Sequence, residues 1–85
     1  MSKVIRKVEG RQLAHIVQTD DKKFHYVDSN NTFDCGYETM SFSCDKTGEK
    51  IKWGGEYTEH HYSHESMKKR HDYIINHLEE VLQNG

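Results

Sequence analysis

The sequence predicts an α+β fold: an antiparallel β-meander of about four strands with one C-terminal helix packed on one face. Three observations carry that prediction. Short stretches rich in β-branched and aromatic residues recur up to residue 62, polar turn segments separate them, and from Ser63 onward the apolar spacing changes to a helical period. No proline, repeat or low-complexity run divides the 85 residues, so residues 1–85 read as a single domain.

The first two strands are "RQLAHIVQ" (11–18) and "KKFHYVDS" (22–29), which flank the polar "TDDK" at 19–22. Residues 1–9 fit either a short strand or a helical turn. The second hairpin joins "YETMSFSC" (37–44) to "KIKWGGEYTEHHY" (50–62) through Asp45-Lys46-Thr47-Gly48, which suits a type I turn closed by a left-handed glycine. Pairing Cys44 with Glu49 sets Phe42 opposite Ile51 and Met40 opposite Trp53, collecting the large apolar side chains on the face that the helix would cover. Tyr37, Thr39, Ser41 and Ser43 then face solvent. Gly54-Gly55 reads as a bulge that can swap the faces beyond it.

The helix spans about 64–83. Ser63 is its natural N-cap, Glu65 suits its positive end, and Met67, His71, Ile74, Ile75, Leu78, Val81 and Leu82 form one stripe.

Only 33% of residues are hydrophobic and 31% are charged, a lean composition for which a metal, a disulfide or a partner is the usual staple. A net charge of −2 with both signs interspersed lacks the basic face of a nucleic-acid binder and the acidity of a DNA mimic. A protein partner fits that surface better. No apolar run approaches the length of a membrane span and "MSKVIRKVEGRQ" has no signal-peptide core, so a cytoplasmic location is expected, with Cys35 and Cys44 as free thiols or ligands.

Chemistry concentrates in "GEYTEHHYSHESMKKRH" (55–71), which holds four of the seven histidines. Cys35, His60, His61, His64 and His71 form the candidate metal set, with zinc as the metal that a thiolate and imidazoles would take. Solvated or singly bonded histidines and a pH switch are the competing readings of the same group. The double Cys-x-x-Cys spacing is absent, and Cys44, one strand length from Cys35, reads as a structural thiol. His71 sits on the apolar stripe and needs a partner, either Glu38, a backbone carbonyl or a metal. His15 and His25 read as surface residues. Glu56 and Glu59 are the carboxylates near enough in sequence to serve a metal hydrolase as base, although a thin sheet with one helix offers little wall for a cleft.

"FDCGYETMSF" (33–42), Trp53, Tyr62 and "SHESMKKRH" (63–71) together resemble a pattern recurring in small phage and prophage proteins. Its recurring positions fall on Glu38, Thr39, Met40, Phe42, Trp53 and His71. Met67 stands where a small residue is the rule, and Cys35 and His60-His61 lie outside the pattern.

The resemblance implies a non-enzymatic counter-defence protein acting in the host cytoplasm. Its target would be a host defence protein of the type II CRISPR effector nuclease kind, inhibited in the manner of anti-CRISPR proteins by direct binding, without nucleic acid or membrane, as a monomer or dimer with a structural zinc. The binding surface expected on that basis includes Tyr37, Lys50, Lys52, Tyr57 and Tyr62. The alternatives from other classes are a small metal-dependent enzyme acting on a nucleotide or signalling molecule, and a dimeric structural module pairing through the edge of strand 11–18.

Overall fold

The computed structural model describes residues 2–84. Five antiparallel strands follow one another in chain order across one sheet: β1 (Lys3–Lys7), β2 (Ala14–Gln18), β3 (Phe24–Thr32), β4 (Gly36–Cys44) and β5 (Tyr57–His61). Two helices close the chain, α1 (His64–Asn76) and α2 (Leu78–Asn84). The α+β class and the meander order hold, and the fifth strand comes from the N-terminal segment. β1 covers the outer edge of β2, so the edge that a dimeric module would use is already paired.

Helix α1 starts where its cap dictates. The Ser63 side chain accepts the Ser66 backbone N–H at 3.1 Å, and the Ser66 hydroxyl accepts the Ser63 N–H at 3.0 Å. A single helix over 64–83 does not form, because the His77 side chain takes the Tyr73 carbonyl at 3.0 Å. The His77 backbone N–H turns instead to Ile74 O at 3.3 Å. A side chain inserted into the i→i−4 ladder breaks a helix at that point. The apolar stripe survives the break, since Met67, Ile74, Ile75, Leu78 and Val81 are all buried.

The second hairpin differs from the predicted register. Asp45 caps its turn, accepting from Thr47 Oγ1, Glu49 N–H and Lys50 N–H, and an isolated bridge then pairs Cys44 with Ile51. From there to the Ser41–Tyr57 pair β4 retreats three residues (44 to 41) while its partner advances six (51 to 57), leaving three extra residues around Gly54-Gly55. An odd insertion exchanges the faces. Glu38 therefore pairs with His60, and Tyr37 with His61.

This displaces the expected core. The helices do not cover Phe42 and Met40; they cover the face bearing Val17, Val27, Thr39 and Ser41. Thr39 and Ser41, expected in solvent, are completely buried. Ala14, Ile16, Tyr26 and Phe42 form a second cluster on the opposite face, joined by Phe24, Met40, Cys44 and Ile51. The loop after β4 roofs that cluster in part, and Trp53 lies edge-on to Phe42 with ring centroids 5.2 Å apart.

Gly48 marks how tightly that loop is seated. Its φ is +78°, and a Cβ there would stand 2.7 Å from Ile16 Cδ1. Gly48→Ala should destabilise the fold by about 2–3 kcal/mol, combining left-handed strain with overpacking. Gly10→Ala, at φ +80° with nothing within 4 Å of the new methyl, should cost about 1 kcal/mol by the strain alone. Urea unfolding of the pair isolates the Ile16 contact, and equal losses would show that the loop yields.

Candidate functional site

Two groups of polar side chains lie on opposite faces of the sheet, and they divide the histidines between them. Beneath the helices β4 and β5 offer hydroxyls and an imidazole in place of apolar side chains, and His71 descends from α1 to meet them. His71 is fully buried; its Nδ1 lies 2.7 Å from Ser29 Oγ and its Nε2 lies 2.8 Å from His15 Nδ1. Ser29 Oγ contacts Thr39 Oγ1, which lies 2.8 Å from His61 Nε2. His61 Nδ1 faces Glu59 Oε2 at 3.6 Å. Glu59 in turn accepts from Arg70 through Nε at 2.6 Å and Nη2 at 2.7 Å, and from the Tyr57 hydroxyl at 2.6 Å.

The approach of Glu59 to His61 Nδ1 gives this chain a direction. A carboxylate favours Nδ1–H on His61, leaving Nε2 to accept from Thr39; Thr39 then accepts from Ser29, Ser29 from His71 Nδ1–H, and His71 Nε2 from His15 Nδ1–H. Each member uses one proton, and burial disfavours the charged form of all three imidazoles. Burial, the neighbouring His15 and His61 pull the His71 pKa down to about 4 against the opposing charge of Asp72. Burial lowers His15, helped by Lys7 and opposed by Asp72, and burial also lowers His61 despite Glu59.

Glu56 serves the same face. Its Oε2 accepts from Ser41 Oγ at 2.6 Å and lies 2.6 Å from His25 Nδ1, while His25 Nε2 reaches Thr19 Oγ1 at 3.2 Å. Burial works to raise the Glu56 carboxyl, but the hydrogen bonds from His25 and Ser41 outweigh it and the pKa is lowered. Glu56 and Glu59, the two carboxylates placed for a hydrolytic base, are thus both engaged, Glu56 by His25 and Ser41 and Glu59 by Arg70 and Tyr57. His25, expected at the surface, is 4% exposed and His15 is half-buried.

The other face carries the second group. Glu38 Oε2 lies 3.4 Å from its cross-strand neighbour His60 Nε2, and the donor atoms of Cys35, Glu38 and His60 all lie within 4.8 Å of one another. The β3–β4 turn presents Cys35: its backbone N–H donates to Thr32 Oγ1 at 3.2 Å, and Gly36 takes φ +70° to re-enter the strand. Cys35 and His60 are exposed.

Of the five residues of the predicted metal set, Cys35 and His60 come together, and Glu38, one of the three partners expected for His71, joins them. His61 points to the opposite face, His71 is held by Ser29 and His15, and His64 stands at the start of α1 with its ring 6.3 Å from that of Tyr37. Cys44 sits at the other end of β4 among the second cluster, where burial, then Asp45 and Glu56, push its thiol up to about 11. Both cysteines are free thiols.

Large aromatic side chains stand out around the Cys35 end. Phe33, in the β3–β4 turn, and Tyr62, just after β5, are fully exposed at 103% and 102%; Trp53, beside Phe42 toward the other end of β4, is 66% exposed. A groove of about 170 Å³ lined by Asp28, Glu38, Met40, Phe42 and Trp53 crosses the same face. The expected surface residues Tyr37 and Tyr57 are half-buried instead, Tyr57 packing on the helix core. Phe33 escaped the sequence reading, although its place between Thr32 and Asp34-Cys35-Gly36 in a turn is the signal that would expose it. No helix among the described residues is long and apolar enough to cross a membrane. Comparison with protein-family models, curated proteins and solved structures gives no match.

Proposed function

We propose that this chain is a small phage-derived binding protein that inhibits a host defence protein, a type II CRISPR effector nuclease, by occupying part of its surface in the host cytoplasm. The phage-like pattern in 33–71 supplies the class of target, and one structural observation supports a binding role: two fully exposed aromatic side chains, Phe33 and Tyr62, flank the end of the sheet. Aromatic side chains contribute disproportionately to binding energy when a partner desolvates them. The engagement of Glu56 by His25 and Ser41 and of Glu59 by Arg70 supports binding over hydrolysis, since both carboxylates are held by partners outside the Cys35–Glu38–His60 cluster.

The test is inhibition of DNA cleavage by purified type II effector–guide complexes, with complex formation followed by sizing chromatography. The expected result is stoichiometric inhibition, with the Phe33→Ala/Tyr62→Ala variant needing at least about tenfold more protein, the loss that truncating a binding hot spot produces. Absence of both inhibition and co-elution with the effectors would overturn the assignment of target.

A further inference from the structure

We propose that Cys35, Glu38 and His60 form a zinc site on the face of the sheet away from the helices. The inference stands on the arrangement of these three side chains and holds whether or not the chain inhibits a nuclease. A thiolate, an imidazole and a carboxylate are three ligand types that zinc accepts together, and a tetrahedral ion holds neighbouring donors about 3.3–3.8 Å apart at bond lengths near 2.0–2.3 Å. Glu38 Oε2 and His60 Nε2 already stand 3.4 Å apart, and the Cys35 thiol completes a triangle no wider than 4.8 Å. Closing it onto an ion takes side-chain rotation only, at Cys35 and His60, whose exposure leaves them free to turn toward Glu38.

The backbone holds each donor from a different direction. Strand pairing sets Glu38 beside His60, with Asn30 on the far side of Glu38, and the Thr32 side chain pins the turn by accepting from Cys35 N–H and donating to Gly36 O at 3.2 Å. The Glu38 side chain is only 13% exposed and gives the site a fixed wall, against 61% for His60. Three protein ligands leave a fourth position, taken by water in the isolated chain. The site would clamp the β3–β4 turn to β5, which fixes the segment carrying Phe33 against the one carrying Tyr62. The start of α1 has its own supports, the Ser63 capping box and the His71 contacts.

Calorimetric titration of zinc into untagged, reduced protein tests the site, with cobalt as a spectroscopic substitute. The expected result is one zinc per chain, at least tenfold weaker binding in Cys35→Ser and in His60→Ala, and no change in His64→Ala. A thiolate-to-cobalt charge-transfer band should appear and be lost in Cys35→Ser. Each variant's circular dichroism should match that of the parent, since all the substituted side chains are exposed. Absence of stoichiometric zinc binding to the folded parent, or binding that survives both Cys35→Ser and His60→Ala, would overturn the proposal. Nuclease assays play no part in either outcome, so the site and the inhibitory function stand or fall separately.

Discussion

Replacing His71 should cost more than any other single polar substitution in the chain. His71→Ala removes a fully buried side chain, leaves His15 Nδ1 without its partner and takes one of the two contacts of Ser29 Oγ, which keeps Thr39; a loss of about 3–5 kcal/mol is the expected scale. His71→Leu refills most of the volume without the hydrogen bonds, so its smaller loss, about 2 kcal/mol, reads the polar part alone. Either figure is a large share of the stability of a domain this small.

The same residue sets a pH dependence. The folded pKa of His71 lies near 4, below its ordinary value of 6.5, so the unfolded chain takes up the proton first as pH falls. Stability is therefore complete above about pH 6.5 and is lost progressively toward pH 4, by an amount on the order of 3 kcal/mol for a shift of this size. His15 and His61 are lowered as well and act in the same direction. Urea unfolding at pH 7.5, 6 and 5 should show the parent weakening steadily and His71→Leu weakening less. A parent equally stable at pH 7.5 and 5 would mean that the buried chain opens to solvent.

What could be read beforehand divides along physical lines. Local signals were legible: Ser63 as a cap, the helical stripe from Met67 to Leu82, the Asp45–Gly48 turn, and the order of strands. Facing was not, because facing depends on counting residues through a loop. Asp45 binds two groups beyond its own turn, the Glu49 and Lys50 N–H, and Gly54-Gly55 absorbs three more residues, and either feature alone changes the register. The partners of His71 were hidden for a second reason. They come from β2 and β3, where His15, Val17, His25, Val27 and Ser29 lie on one face by simple alternation. That alternation was visible, but polar residues on a strand suggest solvent, and only the arrival of another polar group from α1 makes them interior. Cys35 and His60 came together despite the altered register, because the turn before β4 and the end of β5 share one edge of the sheet whichever residues pair.

The second large effect is expected at Glu56, and it separates the two readings of that residue. Its Oε2 alone serves both His25, 4% exposed, and Ser41, fully buried. Glu56→Ala leaves two buried polar groups without a partner and should cost roughly 2–4 kcal/mol. Glu56→Gln can place its amide oxygen where Oε2 stands, keep both contacts and lose only the charge, for about 1 kcal/mol. Because the carboxyl is held below its ordinary range, its contribution is present above about pH 4.5 and fades as pH falls further, a window beneath that of His71. The glutamine variant should therefore flatten the acid limb below pH 4.5 and leave the slope between 6.5 and 4.5 intact. A catalytic base behaves otherwise: Glu56→Gln would leave a stable protein with its activity abolished. A glutamine variant that binds its target as the parent does, beside an alanine variant weakened in proportion to its lost stability, is the outcome that a structural carboxylate demands.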